Sequence, residues 1–278
     1  MKTILLTGST GFLGSTILNQ LSKKYKIYCI NRKKIKQSRK FKNIYFKSYD
    51  DLNSKLKKIK VDTIIHCATH YVRHHKFDDI KKFSESNILL GNIILENLTK
   101  MKVKNFINFS TVWENYNGIR DNYLNLYSVY KKNFTNILKF YEKKFTKINF
   151  YNLFISDTFG KKDTRNKIIN ILRSNYRKNK TTKIISSKLI LNLLNIKDVV
   201  NSLSVILKNK PGTYNLVNTK NYSIKDIIEL INKRNKKKIN IIWISNKLIK
   251  DKIYVNKKIK GWSPQNSTIN NVVDTIIN

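Results

Sequence analysis

A glycine-rich turn between an apolar run and a helical pattern is the feature that most constrains the fold. Residues 3–7 read Thr-Ile-Leu-Leu-Thr, which is typical of a short buried strand. The glycines that follow allow a tight turn and let a pyrophosphate approach the backbone. A helix beginning there offers unpaired N–H groups and a favourable dipole to an anion. The alternative is an ordinary strand-turn-helix, but the context favours a dinucleotide-binding turn. Its predicted cofactor contacts are Gly8, Thr10, Gly11, Phe12, Leu13 and Gly14.

Strands and helices alternate along the first half of the chain. Apolar runs predict further strands at 26–31, 43–47, 63–67, 105–109 and 149–154, and helical periods occupy 15–23, 79–100 and 127–144. This alternation predicts an α/β fold with a doubly wound, parallel, Rossmann-like sheet. We expect an NAD(P)-binding domain over residues 1–155, to which 191–217 returns. We expect a smaller C-terminal substrate-binding lobe from 156–190 and 218–278.

The charge of this chain of 278 residues does not by itself define a partner. A formal net charge of +39 is the usual footprint of a nucleic-acid binder. The basic residues are mostly lysines spread along the whole chain, and Ala68 is the only alanine. An AT-rich genome explains this composition more simply, so we expect no specific nucleic-acid partner. No apolar run approaches the roughly 20 residues that span a bilayer. The two cysteines lie in apolar runs, which suits a reducing, cytoplasmic location.

The end of the second predicted strand bears on the choice of nicotinamide cofactor. An NAD-preferring site carries an acid about 20 residues beyond the glycine turn. Here that place holds Asn31, followed by Arg32. The planar fork of donors on arginine suits a 2′-phosphate. The pair therefore favours NADP(H), while NAD(H) remains the alternative if Arg32 is only another surface cation.

A tyrosine and a lysine in the predicted helix 127–144 point to acid–base chemistry. Tyr127 and Lys131 are four residues apart and so lie on one helix face. An ammonium beside a phenol favours the phenolate, which predicts a lowered pKa for Tyr127. Upstream, Ser110 and Thr111 end the fifth predicted strand, at the edge where ligands bind in such sheets. An isolated Tyr-x-x-x-Lys is common by chance in this chain, but its order behind the glycine turn indicates function.

Together these motifs resemble the extended short-chain dehydrogenase/reductase family of nucleotide-sugar epimerases, dehydratases and reductases. The resemblance covers essentially the whole chain and includes Phe159-Gly160 and residues 195–200, 212–216 and 261–264. It implies that Tyr127 and Lys131 also contact the cofactor. Further cofactor contacts implied by the resemblance are Asp50, Asp51, Cys67, Ala68, Thr69 and Asn87.

Residues 106–117 and 163–169 are similar to stretches of one group within that family, the CDP-abequose and CDP-paratose synthases. The likeness implies reduction of the C4 ketone of a CDP-4-dehydro-3,6-dideoxyhexose with NADPH, for O-antigen synthesis. It places the catalytic residues at Thr111, Tyr127 and Lys131. The family's 4,6-dehydratases carry an Asp-Glu pair after the catalytic Thr; Val112-Trp113 stands here, so dehydration is not expected.

Two aromatic or charged residues near these motifs are candidate substrate contacts. Trp113 suits stacking on a sugar or base, or packing beside the site. Arg165 suits a bidentate contact with a substrate phosphate, or is a solvated charge. His70, His74 and His75 crowd together, but the loop context and Arg73 favour solvated side chains, so we expect no metal.

Two other functions remain open from the sequence. One is an NAD-dependent nucleotide-sugar 4-epimerase, and the other is a non-catalytic NAD(P)-binding or polyanion-binding protein. The nucleotide-sugar substrate is the expected partner in either enzyme. Many members of the family pair through the helices that correspond here to 79–100 and 127–144, so the resemblance implies a homodimer.

Overall fold

The computed structural model describes residues 2–35 and 41–278. Its longer strands are β1 Thr3–Thr7, β2 Lys26–Asn31, β3 Lys42–Tyr45, β4 Thr63–His66, β5 Asn105–Thr111 and β6 Asn149–Ile155. The later strands are β7 Asp157–Phe159, β8 Thr182–Ile184, β9 Leu189–Leu191, β10 Leu193–Asn195, β11 Gly212–Leu216, β12 Tyr222–Ser223, β13 Ile241–Trp243, β14 Ile249–Lys250 and β15 Lys257–Lys258. The helices are α1 Phe12–Leu21, α2 Tyr49–Leu56, α3 Phe77–Phe83, α4 Leu90–Glu96, α5 Leu126–Lys144, α6 Ile168–Arg177, α7 Ile196–Ile206, α8 Ile224–Arg234 and α9 Ile269–Ile277.

The main sheet has eight parallel strands in the order β15-β11-β6-β5-β4-β1-β2-β3. The strand order reverses between β1 and β4, where Thr7 pairs with His66 at the carboxyl ends. Ligands of doubly wound sheets bind in the crevice outside such a reversal. The structure therefore confirms the predicted doubly wound α/β fold, and the expected ligand crevice lies at the carboxyl ends of β1 and β4.

Alternating side chains on each strand feed two cores, one on each face of the sheet. On β1, Ile4 and Leu6 join the core under α1 and α7, whereas Leu5 joins the core under α2, α4 and α5. These strand residues are buried on both faces because helices cover both sides. The apolar run at 3–7 thus has no polar alternation, as expected for a central parallel strand.

A third core lies apart from these two and is built mainly by α6, α8 and α9. Asp198 on α7 ties the C-terminal segment to the sheet. Its buried carboxylate accepts hydrogen bonds from the backbone N–H groups of Gln265 and Asn266 and from the Ser267 hydroxyl. The Trp262 indole donates to the Asp198 carbonyl oxygen at 3.1 Å. The motifs at 195–200 and 261–264 are therefore in direct contact.

Two helices differ from the sequence prediction. The predicted helix 79–100 is α3 and α4 joined by a π-helical segment at Ser84–Leu89. Within it, Asn87 is buried and bonded to the backbone of His70, so the extra backbone residue turns this polar side chain inward. α1 begins at Phe12, three residues earlier than predicted, because Gly11 is its N-cap and accepts from the Ser15 N–H at 2.8 Å.

Candidate active site

A cavity of about 530 Å³ opens at the carboxyl ends of β1, β4, β5 and β6. This volume lies within the roughly 300–1,000 Å³ of small-molecule sites. The cavity receives the glycine turn, the ends of β2 and β5, the start of α5 and the segment around residue 165. The predicted site residues that line it are Gly8, Thr10, Gly11, Phe12, Leu13, Gly14, Asn31, Arg32, Cys67, Ala68, Thr69, Thr111, Trp113, Tyr127, Lys131 and Arg165.

Two glycines make the turn after β1 as tight as it is. Gly8 has a φ of +68°, and a Cβ there would lie 2.8 Å from the Ala68 nitrogen. A Cβ on Gly14 would lie 2.1 Å from the Gly8 carbonyl oxygen, so α1 packs directly on the turn. The Gly11 N–H donates to that same oxygen at 3.0 Å. The first turn of α1 therefore faces the cavity with its N–H groups, the arrangement that suits an anion.

The Thr7 hydroxyl holds the next strand end in place. It accepts from the backbone N–H groups of Cys67 at 3.1 Å and Ala68 at 2.9 Å. Because its lone pairs are used, it donates its own proton to Nδ1 of His66, 3.0 Å away. The His66 ring is therefore neutral with its proton on Nε2, and burial lowers its pKa to about 3. One hydroxyl thus shapes the wall at residues 67–69.

The far end of the cavity, at the end of β2, holds the residues that bear on cofactor choice. The Asn31 amide is engaged within the protein, because it accepts from Ser9 Oγ at 3.0 Å and donates to Asn43 Oδ1 at 2.8 Å. The Arg32 side chain is 59% exposed and lies 3.9 Å from the Glu85 carboxylate, which also lines the cavity. Arg32 is thus only loosely paired. Glu85 was not identified from the sequence.

The three predicted catalytic residues line the other end of the cavity, which we call the near end, where β5 ends and α5 begins. Thr111 ends β5, and its Oγ1 accepts from the Trp113 N–H at 3.3 Å, which leaves the hydroxyl proton free for a ligand. Tyr127 and Lys131 lie one turn apart on α5, which begins after the Asn125 N-cap. Lys131 is 5% exposed yet reaches the cavity wall. Thr111 and Tyr127 thus bring two hydroxyl groups to the same cavity, where both can donate to a bound ligand.

The predicted lowering of the Tyr127 pKa is not what the structure gives. Burial raises the pKa of the Tyr127 phenol, and the Thr69 side chain and the charge of Arg165 only partly oppose that rise. Tyr71 and Trp113 stand edge-on to the phenol ring, with centroids 5.0 and 6.5 Å away, and contribute to its burial. The phenol therefore stays protonated near neutral pH, the state in which it can give up a proton.

Arg165 lines the cavity, and one edge of its guanidinium is held within the protein. Its guanidinium makes a bidentate pair with Asp163, with both N–O distances 2.8 Å, and donates to Thr158. Its central carbon lies 4.6 Å from the centre of the Phe12 ring. Asp163 thus holds the Nε–Nη2 edge of the guanidinium while 29% of the side chain stays exposed, and the substrate contact stays a prediction.

Three predicted cofactor contacts lie outside the cavity lining. Asp50 and Asp51 occupy the first turn of α2, behind the Ser48 N-cap. The Asp51 carboxylate pairs with Lys55 at 2.8 Å and accepts from the Lys47 N–H, which lowers its pKa. Asn87 bonds the His70 N–H at 2.6 Å and the His70 carbonyl at 3.1 Å, so it supports the wall from behind.

A cluster of charged and aromatic side chains at the near end of the cavity was not predicted from the sequence. Lys167 pairs with Asp157, and its Nζ lies 4.8 Å from the Trp113 ring centre and 5.2 Å from that of Tyr71. Lys167 belongs to the stretch 163–169 that carried the finer resemblance, which is the signal that could have found it. Trp113 is thus a wall residue packed among other rings and a cation.

These residues fit a nicotinamide dinucleotide. The glycine cradle, which a Cβ at Gly8 or Gly14 would fill, suits a pyrophosphate. Lys131 at the other end suits a ribose hydroxyl. In the part of the chain that the structure describes, no group of three or more His, Cys, Asp or Glu side chains is arranged to hold a metal.

Comparison with known proteins defines the family to which this chain belongs. The family model "NAD dependent epimerase/dehydratase family" matches residues 4–217. The chain belongs to that family, which confirms the family predicted from its motifs. Within the described residues, no helix is both long enough and apolar enough to traverse a bilayer.

Particular relatives refine the comparison. A CDP-abequose synthase of Yersinia pseudotuberculosis is 25% identical over 243 residues, which cover 82% of this chain and 83% of the relative. A CDP-abequose synthase of Salmonella muenchen is 27% identical over 238 residues, 84% of this chain and 80% of the relative. Among solved structures, UDP-glucuronic acid 4-epimerase from Bacillus cereus, in complex with UDP-glucuronic acid and NAD, has a TM-score of 0.80. It is 20% identical, with 99% of this chain and 97% of that chain covered, and supports the fold.

Proposed function

We propose that this protein reduces the 4-keto group of a nucleotide-activated deoxysugar, of the CDP-4-dehydro-3,6-dideoxyhexose kind, with NADPH. The observation that carries the proposal is the convergence of Thr111, Tyr127 and Lys131 on one cavity behind a dinucleotide turn. The likeness to two CDP-abequose synthases over most of their length supports the sugar class. A role in supplying sugars to a surface polysaccharide, in the cytoplasm, follows from that substrate.

The proposed roles follow from where each group lies. NADPH, when bound, supplies the hydride. Tyr127 donates its proton to the carbonyl oxygen as negative charge develops there. Thr111 donates a hydrogen bond to the same oxygen and stabilises that charge. Lys131 holds the nicotinamide ribose and stabilises the phenolate that Tyr127 becomes, and the Tyr71 and Trp113 rings keep water out.

Dehydration is disfavoured by the residues beside Thr111. The next positions hold Val112 and Trp113, which carry no carboxylate. Glu114, the first acid after Thr111, is fully buried and bonded to Ser110 and Thr135. It does not line the cavity and is not placed to remove a substrate proton.

We favour NADPH because Arg32 lines the cavity, is largely exposed and, among residues 2–35 and 41–278, forms an ion pair of 3.9 Å that a 2′-phosphate could replace. Arg32→Gln should weaken NADPH binding by about 10–100-fold, since a charge-assisted hydrogen bond contributes about 1.5–3 kcal/mol. NADH binding should change less than about threefold. Lys33→Gln is the matched control, because it removes an adjacent exposed charge. Equal weakening of both cofactors by Arg32→Gln would overturn the NADPH assignment.

An NAD-dependent 4-epimerase is the second candidate, and Glu85 is the observation that favours it. Its carboxylate lines the cavity next to Arg32 and can accept from a ribose 2′-hydroxyl. In that case Glu85→Gln weakens NADH binding and leaves NADPH binding intact. The protein would then interconvert sugars with no net loss of reduced nucleotide.

The test of the reductase is the absorbance of NADPH or NADH with a panel of 4-keto nucleotide sugars. The proposal predicts oxidation of NADPH by the wild type and a loss of at least about 100-fold in Tyr127→Phe, since general acid catalysis contributes about 10²–10⁴. Cofactor binding by Tyr127→Phe should persist. Binding of NADPH without turnover of any sugar would point to a non-catalytic NAD(P)-binding protein.

We also propose a homodimer that pairs through the helices around Phe77–Glu96 and Leu126–Lys144. Phe77 is 86% exposed at the start of the first, and Phe140 is 60% exposed near the end of the second. Pairing through these helices would cover both rings and remove their apolar surface from water. Light scattering with Phe77→Ser and Phe140→Ser tests it: the wild type should have twice the mass of the chain, and both variants should shift toward a monomer.

A further inference from the structure

The proposed reaction leaves one fully buried carboxylate without a role. Glu114 is 0% exposed and follows β5 by three residues, behind the cavity wall. Acidic side chains are almost never fully buried unless they are paired. A carboxylate at this depth therefore needs a compensating group, and its neighbours identify which one.

The contacts of Glu114 satisfy one of its two oxygens. Oε1 accepts from the hydroxyls of Ser110 and Thr135, the latter at 3.1 Å. Oε2 is buried and has no hydrogen-bond partner among residues 2–35 and 41–278. Ser110 lines the cavity, and Thr135 lies one turn beyond Lys131 on α5. The carboxylate is thus fixed between the strand end and the helix face that carries the predicted catalytic pair.

Lys131 has the complementary problem, because its ammonium is also buried. Burial lowers the pKa of Lys131 to about 8, and the Glu114 carboxylate is the largest influence that opposes the fall. Burial likewise raises the pKa of Glu114 to about 7, against the hydroxyls of Ser110 and Thr135 and the charge of Lys131. The other titratable groups near the pair are Lys132 and Tyr127 on α5 and His66 and Cys67 at the end of β4.

We propose that Glu114 is a positioning residue of this site, whose negative charge favours the protonated form of Lys131, one helical turn from Tyr127. The inference rests on the proposed reductase. When Tyr127 gives its proton to the substrate carbonyl, a phenolate remains, and a charged Lys131 one helical turn away stabilises it. A neutral Lys131 offers a weak hydrogen bond in its place. Glu114 therefore acts on the reaction through Lys131 and touches neither substrate nor cofactor.

The pH dependence of Glu114→Gln tests the proposal. Glutamine keeps the shape and one acceptor oxygen for Ser110 and Thr135 but removes the charge. Without that charge the pKa of Lys131 falls further, by about 1–3 units for a charge this near. The alkaline limb of kcat should therefore move to lower pH by about one unit or more. At about pH 8 a one-unit fall should lower kcat about fivefold and a two-unit fall about fiftyfold, and the loss should shrink toward pH 6. Glu142→Gln, an exposed charge on the same helix, should leave the profile unchanged.

A second measurement needs no turnover. Urea unfolding of Glu114→Gln, Lys131→Met and the double variant forms a double-mutant cycle. Removing one partner of a buried charge pair strands the other, whereas removing both does not. We expect the unfolding equilibrium constant of the double variant to be at least about tenfold smaller than the value predicted by adding the two single losses of stability. Additive losses, or a loss of kcat in Glu114→Gln that is equal at every pH, would overturn the proposal. If the wild type reduces no 4-keto sugar but the two substitutions remain non-additive in stability, the reductase function is refuted and the interaction between Glu114 and Lys131 is supported.

Discussion

Replacing Thr7 by valine removes one hydroxyl from beneath the cavity while keeping the shape of the side chain. The structure gives that hydroxyl three hydrogen bonds: two accepted from the N–H groups of Cys67 and Ala68 and one donated to His66. Thr7 is fully buried, so the lost partners are not replaced by bulk water. Each stranded polar group costs about 1–3 kcal/mol. Stranding the two N–H groups alone therefore predicts a loss of about 2–6 kcal/mol in the free energy of unfolding.

Urea unfolding measures that loss directly, and thermal unfolding should show a Tm lower by about 10 °C, at roughly 2–4 °C per kcal/mol. NADPH affinity should fall as well, because residues 67–69 form part of the cavity wall. Thr7→Ser keeps the hydroxyl and should recover most of both properties. Thr99→Val, at an exposed site, controls for the exchange itself. A Thr7→Val protein within about 0.5 kcal/mol of wild type would refute the reasoning.

Three further changes test other parts of the structure. A Gly→Ala change within a helix normally stabilises it by about 1 kcal/mol, but the Cβ of Gly14→Ala would lie 2.1 Å from the Gly8 carbonyl oxygen. We therefore expect Gly14→Ala to lower the free energy of unfolding, measured with urea, and to weaken NADPH binding, measured by titration. His66 is neutral when folded, with a pKa of about 3 against 6.5, so stability should fall as pH drops below about 6.5, by up to about 5 kcal/mol near pH 3; His66→Gln should flatten that fall in acid unfolding curves. Asp198→Ala strands the donors of 265–267 and should cost about 3–5 kcal/mol in urea unfolding, whereas an unchanged protein would show that this link is dispensable.

The sequence predicted the sheet because its strands are short, apolar and flanked by turn residues. The strand at 3–7 and the glycines at 8, 11 and 14 act locally, so their pattern is legible without a structure. Tyr127 and Lys131 were found for the same reason, since four residues are one helical turn. Spacing along one element is therefore what the sequence revealed best.

Contacts between elements were harder to predict. The sequence suggested Arg165 as a phosphate contact but gave no sign that Asp163 holds one edge of its guanidinium. Asp50 and Asp51 follow a strand, as a cofactor ligand would, yet α2 begins at Tyr49 and turns them away. The pKa of Tyr127 depends on rings from other segments, whose burial of the phenol outweighs any nearby ammonium. The first two outcomes depend on local conformation and the third on rings from distant segments, and residue spacing alone reveals neither.

The proposed reaction moves a hydride from a nicotinamide cofactor to C4 of a sugar. The most direct measurement uses NADPH carrying deuterium at the transferable position, with a CDP-4-dehydro-3,6-dideoxyhexose, and mass spectrometry and NMR of the product. A 4-ketoreductase should place deuterium at C4 in proportion to the NADP⁺ formed, and Tyr127→Phe should form no labelled product. A sugar product without deuterium, or interconversion of sugars with no NADPH consumed, would contradict it.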